Sequence, residues 1–153
     1  MTSSTDRIER QILVEAPRSR VWRALSNAEE FGNWFGMDFK GKTFVAGMPV
    51  HGRITHPGYE HLVCEMLIER IEPERLFSWR WHPGAIDPAV DYSGEPTTLV
   101  VFELEEVGSG TLVRIVETGF DTIPPARRVD AFRLNSQGWE AQMANIERHV
   151  AKG

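Results

Sequence analysis

Residues 124–153 read PPARRVDAFRLNSQGWEAQMANIERHVAKG. Within this stretch Val129, Phe132, Ser136, Trp139, Met143, Ile146 and Val150 recur at alternating intervals of three and four residues, which keeps them on one face of an α-helix. Pro124-Pro125 opens the segment, since proline is tolerated in a first turn, and Gly153 marks its end. A helix over Ala126–Ala151 is about 39 Å long. Its single apolar stripe has to be covered by a second layer, and the residues upstream supply that layer.

Upstream, short runs alternate in polarity between turn residues. The candidate strands are Met37–Lys40, Pro49–Thr55, His61–Ile71, Leu76–Trp81, Thr98–Glu105 and Thr111–Thr118. The separators are His56-Pro57-Gly58, Glu72-Pro73-Glu74-Arg75 and the hairpin loop Val107-Gly108-Ser109-Gly110. The run His82–Pro96 is too long for a tight turn and reads as a loop over an opening. Before these strands, Arg7–Glu15 forms a first strand, with Ile8, Ile12 and Val14 on one face. Val21, Trp22 and Leu25 then fall at helical spacing after Pro17, and Ser26-Asn27-Ala28-Glu29 has a capping-box pattern that starts a second short helix. The order is strand, two short helices, a long antiparallel run, one long helix. The fold class is α+β, with the last helix on one face of a curved sheet.

The chain of 153 residues carries a formal net charge of −5 and is 41% hydrophobic. That length suits one domain spanning residues 1–153. The charge excludes a general basic field for nucleic acid or an anionic membrane, and no apolar run is long enough for a membrane span. One cysteine, Cys64, excludes an internal disulfide, and the opening Met1–Asp6 has no basic-then-apolar signal, so a cytoplasmic location is expected. The five tryptophans are the unusual feature of the composition.

The segment Ala16-Pro17-Arg18-Ser19-Arg20-Val21-Trp22-Arg23-Ala24-Leu25 resembles the opening of the START-like, or SRPBCC, superfamily. The match is closer to its heat-shock protein 90 ATPase activator homologue-like branch. Further pieces of the resemblance are Phe31-Gly32-Asn33-Trp34-Phe35, Ile71-Glu72-Pro73-Glu74-Arg75-Leu76, Trp79, Gly110-Thr111-Leu112-Val113-Arg114, Glu117-Thr118-Gly119-Phe120 and Gly138-Trp139. The resemblance implies a Bet v 1-like helix-grip fold, in which an antiparallel sheet of six or seven strands wraps the long C-terminal helix. It also implies a cavity between sheet and helix, closed at one end by the two short helices. Relatives mostly bind apolar or amphipathic small molecules, some catalyse reactions in the cavity, and a eukaryotic branch stimulates a chaperone ATPase. The resemblance carries no shared catalytic motif.

Strand parity nominates the residues that face such a cavity. Phe77, Trp79 and Trp81 share one face, as do Val100, Phe102 and Leu104, and as do Val113, Ile115 and Glu117. The inner set is Trp34, Phe39, Met66, Trp79, Trp81, Phe102, Phe132, Trp139 and Met143, an aromatic wall with few polar groups. Glu117 is the candidate acid–base or anchoring carboxylate, since an inward carboxylate must have a raised pKa or a buried partner. Ser136 and His51 are candidate polar contacts. His51, His56 and His61 are five residues apart, an interval that gives no metal-ligand spacing, so neither a metal nor another cofactor is expected. Cys64 lacks a nucleophile's partners. Three functions follow: binding of an apolar, aromatic or lipid-like small molecule; catalysis in the same cavity through Glu117; or a protein-interaction role with a chaperone or a second copy of the chain as partner.

Overall fold

A computed structural model describes residues 5–152; Met1–Ser4 and Gly153, and with them part of the N-terminal reading and the end assigned to the last helix, lie outside the described residues. The elements are β1 (Arg7–Val14), α1 (Arg18–Ser26), α2 (Ala28–Phe35), β2 (Met37–Asp38), β3 (Pro49–Ile54), β4 (Val63–Glu72), β5 (Leu76–Trp81), β6 (Thr98–Val107), β7 (Gly110–Thr118) and α3 (Pro125–Ala151), with one 3-10 turn at Phe120–Thr122. The seven strands form one antiparallel sheet in the order β1-β7-β6-β5-β4-β3-β2. Chain-neighbouring strands are sheet neighbours everywhere except at β1, which closes against β7 with Arg7 opposite Thr118. Among the described residues, no helix is long and apolar enough to cross a membrane.

Local chemistry explains the boundaries. The β6–β7 hairpin turns on Gly108 and Ser109, and Gly108 takes the positive φ of 60° that such a two-residue turn requires. α2 is capped one residue later than the Ser-Asn-Ala-Glu pattern suggests. Asn27 Oδ1 accepts from the Glu30 N–H at 2.9 Å, whereas Ser26 Oγ donates to Trp22 O. α2 stops at Gly36, whose φ of 95° is open to glycine, with its N–H on Gly32 O. Proline at the first position of α3 matches the expected start to within one residue. Glu30 ties the three helices together: Arg20 and Arg23 of α1 donate to it, and His149 of α3 lies 2.9 Å from its Oε1.

The core is aromatic. Phe31, Phe77, Trp79 and Phe102 are fully buried, and Trp79 stacks on Phe102 with ring centroids 5.7 Å apart. β4 shifts register between Ile68 and Arg70, so Met66 and Ile68 face inward before the bulge and Ile71 packs on the core after it. The α3 stripe is shorter than its periodicity. Val129 is 74% exposed, and the buried face begins at Ala131, because the first turns of the helix meet the β5–β6 loop and not the sheet.

α2 and β2 approach closely at Gly32. A Cβ there would lie 2.2 Å from the backbone oxygen of Met37. On an open helix Gly→Ala would stabilise by roughly 1 kcal/mol. Here Gly32→Ala is expected to destabilise by about 2–3 kcal/mol, because a backbone carbonyl cannot swing aside. Urea denaturation of the variant checks this, and a gain in stability would overturn the close approach.

Candidate functional site

A cavity of about 1090 Å³ opens between α3, the ends of β3 and β4, and the loop that joins β5 to β6. Its inner wall is Trp34 and Phe35 from α2, Trp81 from β5, and Asn135, Trp139 and Gln142 from α3. Its mouth carries Tyr59, Val63, Ile86, Val90 and Leu134, each of them exposed. Exposed apolar surface is thus gathered around one concavity.

The β5–β6 loop forms the outer wall and is held down by one arginine. Arg127, near the start of α3, donates to Glu95 Oε1 through Nε at 3.0 Å and Nη2 at 2.6 Å, and through Nη1 to the backbone oxygen of Pro83 at 2.8 Å. Its guanidinium lies 4.7 Å from the centre of the Tyr92 ring. Gly84, with φ of 61°, sits against Ala131, and an added Cβ would come within 3.0 Å of the Ala131 Cα. The loop is therefore seated on α3 by side chains far apart in sequence. The neighbouring Arg128 donates to the backbone oxygens of Ile123 and Asp121.

Glu117 lies behind the inner wall and is fully buried. Five donor contacts converge on it. Trp81 Nε1 at 2.7 Å and Thr98 Oγ1 at 2.6 Å donate to Oε2, Trp139 Nε1 at 2.7 Å donates to Oε1, and Asn135 Nδ2 lies 3.0 Å from both oxygens. Burial raises its pKa above the ordinary 4.5, and the hydrogen bonds from Thr98, Trp139, Trp81 and Asn135 offset that only in part. Among the described residues, no cation hydrogen-bonds to it.

The residues nominated from sequence separate into groups. Trp34, Trp81 and Trp139 face the cavity, and Glu117 braces two of them. Phe39, Met66, Trp79, Phe102 and Met143 do not line it; they are buried in the core, where the rings of Phe31 and Phe35 of α2 pack against Phe39 and Trp79. His51 lines the cavity at its rim. The ring of Phe39 occupies the space over Gly52, so Val50 and Gly52 form the inner parity and His51 stands exposed at the rim, 2.5 Å from Glu65. Phe132 packs edge-on against Phe120 of the 3-10 turn at 5.1 Å, and Ser136 Oγ accepts from Arg10 of β1 at 2.8 Å, so neither lines the cavity. Cys64 stands half-buried on the cavity wall, with its thiol pushed up to about 12 by burial and, to a lesser extent, by Glu65, which disfavours the thiolate. Among the described residues, no three His, Cys, Asp or Glu side chains converge as a metal site.

Sequence reasoning missed Asn135, Gln142 and the loop residues. A signal for the first two existed: Ala131, Asn135, Trp139, Gln142 and Ile146 are also helically spaced, one position round from the apolar stripe.

A seven-stranded antiparallel sheet closed on a long C-terminal helix, with two short helices after the first strand and a cavity between the layers, defines the helix-grip class. The chain belongs to the family described as activator of Hsp90 ATPase homolog 1-like protein, whose model matches residues 15–151. None of the curated proteins compared with the chain matches it. Protein MLL2253 of Mesorhizobium loti is similar in structure, with a TM-score of 0.72 at 20% identity over 95% of this chain and 97% of that one. The Aha1 dimer of Colwellia psychrerythraea gives a TM-score of 0.68 at 16% identity over 94% and 95% of the two chains. DynU16, a protein of the dynemicin biosynthetic locus, gives 0.70 at 16% identity over 95% of this chain and 47% of its own. At these identities the likeness is one of fold.

Proposed function

We propose that the protein binds an aromatic or otherwise apolar small molecule in the cavity between α3 and the β5–β6 loop. One observation carries the reading. Tyr59, Val63, Ile86, Val90 and Leu134, all large and exposed, ring the same opening in front of three tryptophans. The volume of about 1090 Å³ admits a drug-sized molecule. Matching of residues 15–151 to one family model supports taking the whole chain as one domain. The location of DynU16 in a biosynthetic locus is in keeping with a small-molecule role, and the dimeric Aha1 makes a second copy of this chain the partner to test first.

Glu117 as a general base finds no support in the geometry. Both oxygens already accept from wall side chains, and the carboxylate lies behind the indoles and not at the cavity surface.

Native mass spectrometry of freshly purified protein, followed by organic extraction, tests the binding reading. A stoichiometric mass above that of the 17.4 kDa chain is expected. A bare chain whose tryptophan emission also fails to respond to a panel of aromatic compounds would overturn it.

A further inference from the structure

Most hydrogen-bonding groups of the inner wall are occupied, and one unpaired acceptor among them points to the ligand's chemistry. The indole N–H groups of Trp81 and Trp139 are both donated to Glu117. Gln142 donates to Phe35 O at 2.7 Å and accepts from Asn145 at 3.0 Å. Asn135 turns its amide nitrogen to the Glu117 carboxylate, which has only acceptors to offer in its ionised form. A proton on Glu117 would be donated to the Thr98 hydroxyl, 2.6 Å from Oε2, leaving Oε1 to accept from Asn135, so the amide keeps its orientation in either state. The amide oxygen Oδ1 of Asn135 is thereby turned away from the carboxylate, on a side chain that lines the cavity, and it accepts no hydrogen bond among the described residues.

The charge of the cavity is equally one-sided. Glu65, Asp87 and Asp91 line it beside four histidines, His51, His56, His61 and His82, and among the described residues no lysine or arginine does, so its fixed charge is negative. Arg127, which holds the outer wall, is consumed by Glu95, Pro83 and Tyr92. An anion entering this space would meet carboxylates at the mouth and a buried carboxyl group behind the wall, with no lysine or arginine to pair with.

We propose that the ligand is an aromatic molecule, neutral or cationic, that carries a hydroxyl or amine donor and is seated by it on the Asn135 amide oxygen, carboxylates and phosphates being excluded. This inference rests on the reading of the cavity as a ligand site. An apolar analogue without the donor leaves Oδ1 unpaired against a desolvating ring, and such a buried unsatisfied acceptor costs enough for about a tenfold loss of affinity.

Calorimetric titration of the full chain with four matched naphthalenes tests it: 1-naphthylmethanol, 1-naphthylmethylamine, 1-methylnaphthalene and 1-naphthoate. The alcohol and amine are expected to bind about tenfold more tightly than the methyl compound, and the naphthoate more weakly than all three. In Asn135→Leu the advantage of the alcohol and amine is expected to vanish while the methyl compound is unaffected. Should that variant fail to fold, the series on the unaltered protein decides. Naphthoate binding as tightly as the alcohol, or the methyl compound matching the alcohol, overturns the inference and leaves the cavity reading standing. Failure of all four to bind overturns the cavity reading itself, and the inference with it.

Discussion

Glu117→Leu is expected to lower the free energy of unfolding by about 2–4 kcal/mol at neutral pH. Four side chains lose their acceptor at once, Trp81, Thr98, Asn135 and Trp139. Each buried donor left unpaired costs about 1–3 kcal/mol. Against that sum stands the several kcal/mol saved by no longer burying a charge without a cation partner. Glu117→Gln keeps one acceptor oxygen and the volume, and it isolates the proton. The carboxyl of the folded chain titrates above the ordinary 4.5, so the folded state holds a proton that the unfolded state has already lost. Stability from this group is therefore fully present below about pH 4.5 and is lost as pH rises through the folded pKa, at about 1.4 kcal/mol per pH unit between the two values. The stability of the parent relative to Glu117→Gln should fall over that interval and then level. A difference that stays constant from pH 4 to pH 8 would contradict a raised pKa.

Trp139→Ala is expected to cost about 3–5 kcal/mol, the range for an aromatic truncated in a packed core. The indole lies 5.7 Å from the rings of Phe35 and Phe102 and 5.8 Å from that of Trp81, so its loss opens a void among groups that cannot all collapse inward. Its N–H also leaves Glu117, stripping one of the donors that make a buried carboxylate tolerable. Trp139→Phe separates the two effects. It retains most of the packing and should lose about 1–2 kcal/mol, the worth of a hydrogen bond to a buried acidic group. Chemical denaturation of the pair checks the ordering. Equal losses in the two variants would assign the whole effect to the hydrogen bond and none to packing.

How much of this could be read from the chain depended on whether one element sufficed. β7 announced itself, because Val113, Ile115 and Glu117 alternate with Leu112, Arg114 and Val116 between two glycine-marked ends, and that alternation alone turned Glu117 inward. The hairpin at Gly108 and the proline start of α3 were equally local. The working face of α3 was not. Two overlapping helical stripes run along it, one through Phe132 and Ser136 and one through Asn135 and Trp139. The choice between them is made by Arg10, on a strand 126 residues away, which takes Ser136 for β1. The place of His51 was undecided for a similar reason. Alternation offered either parity of β3 to the inside, and the ring of Phe39, pressed over Gly52, decided between them. The seating of the β5–β6 loop has no periodic signature at all, since Arg127 and Glu95 are 32 positions apart.

That seating bears on how the molecule can diversify. Arg127 grips both ends of the loop, at Pro83 and at Glu95, so the span between them is closed off before it reaches the sheet. Its middle residues, Asp87 to Asp91, are free of the strand ladder yet stand at the cavity mouth. Lengthening such a closed span is cheap, about 0.6 kcal/mol for each doubling. The scaffold can thus exchange one mouth for another by insertion or replacement inside a single stitched segment, leaving strands, core and buried carboxylate untouched. A change of mouth made there carries little loss of stability.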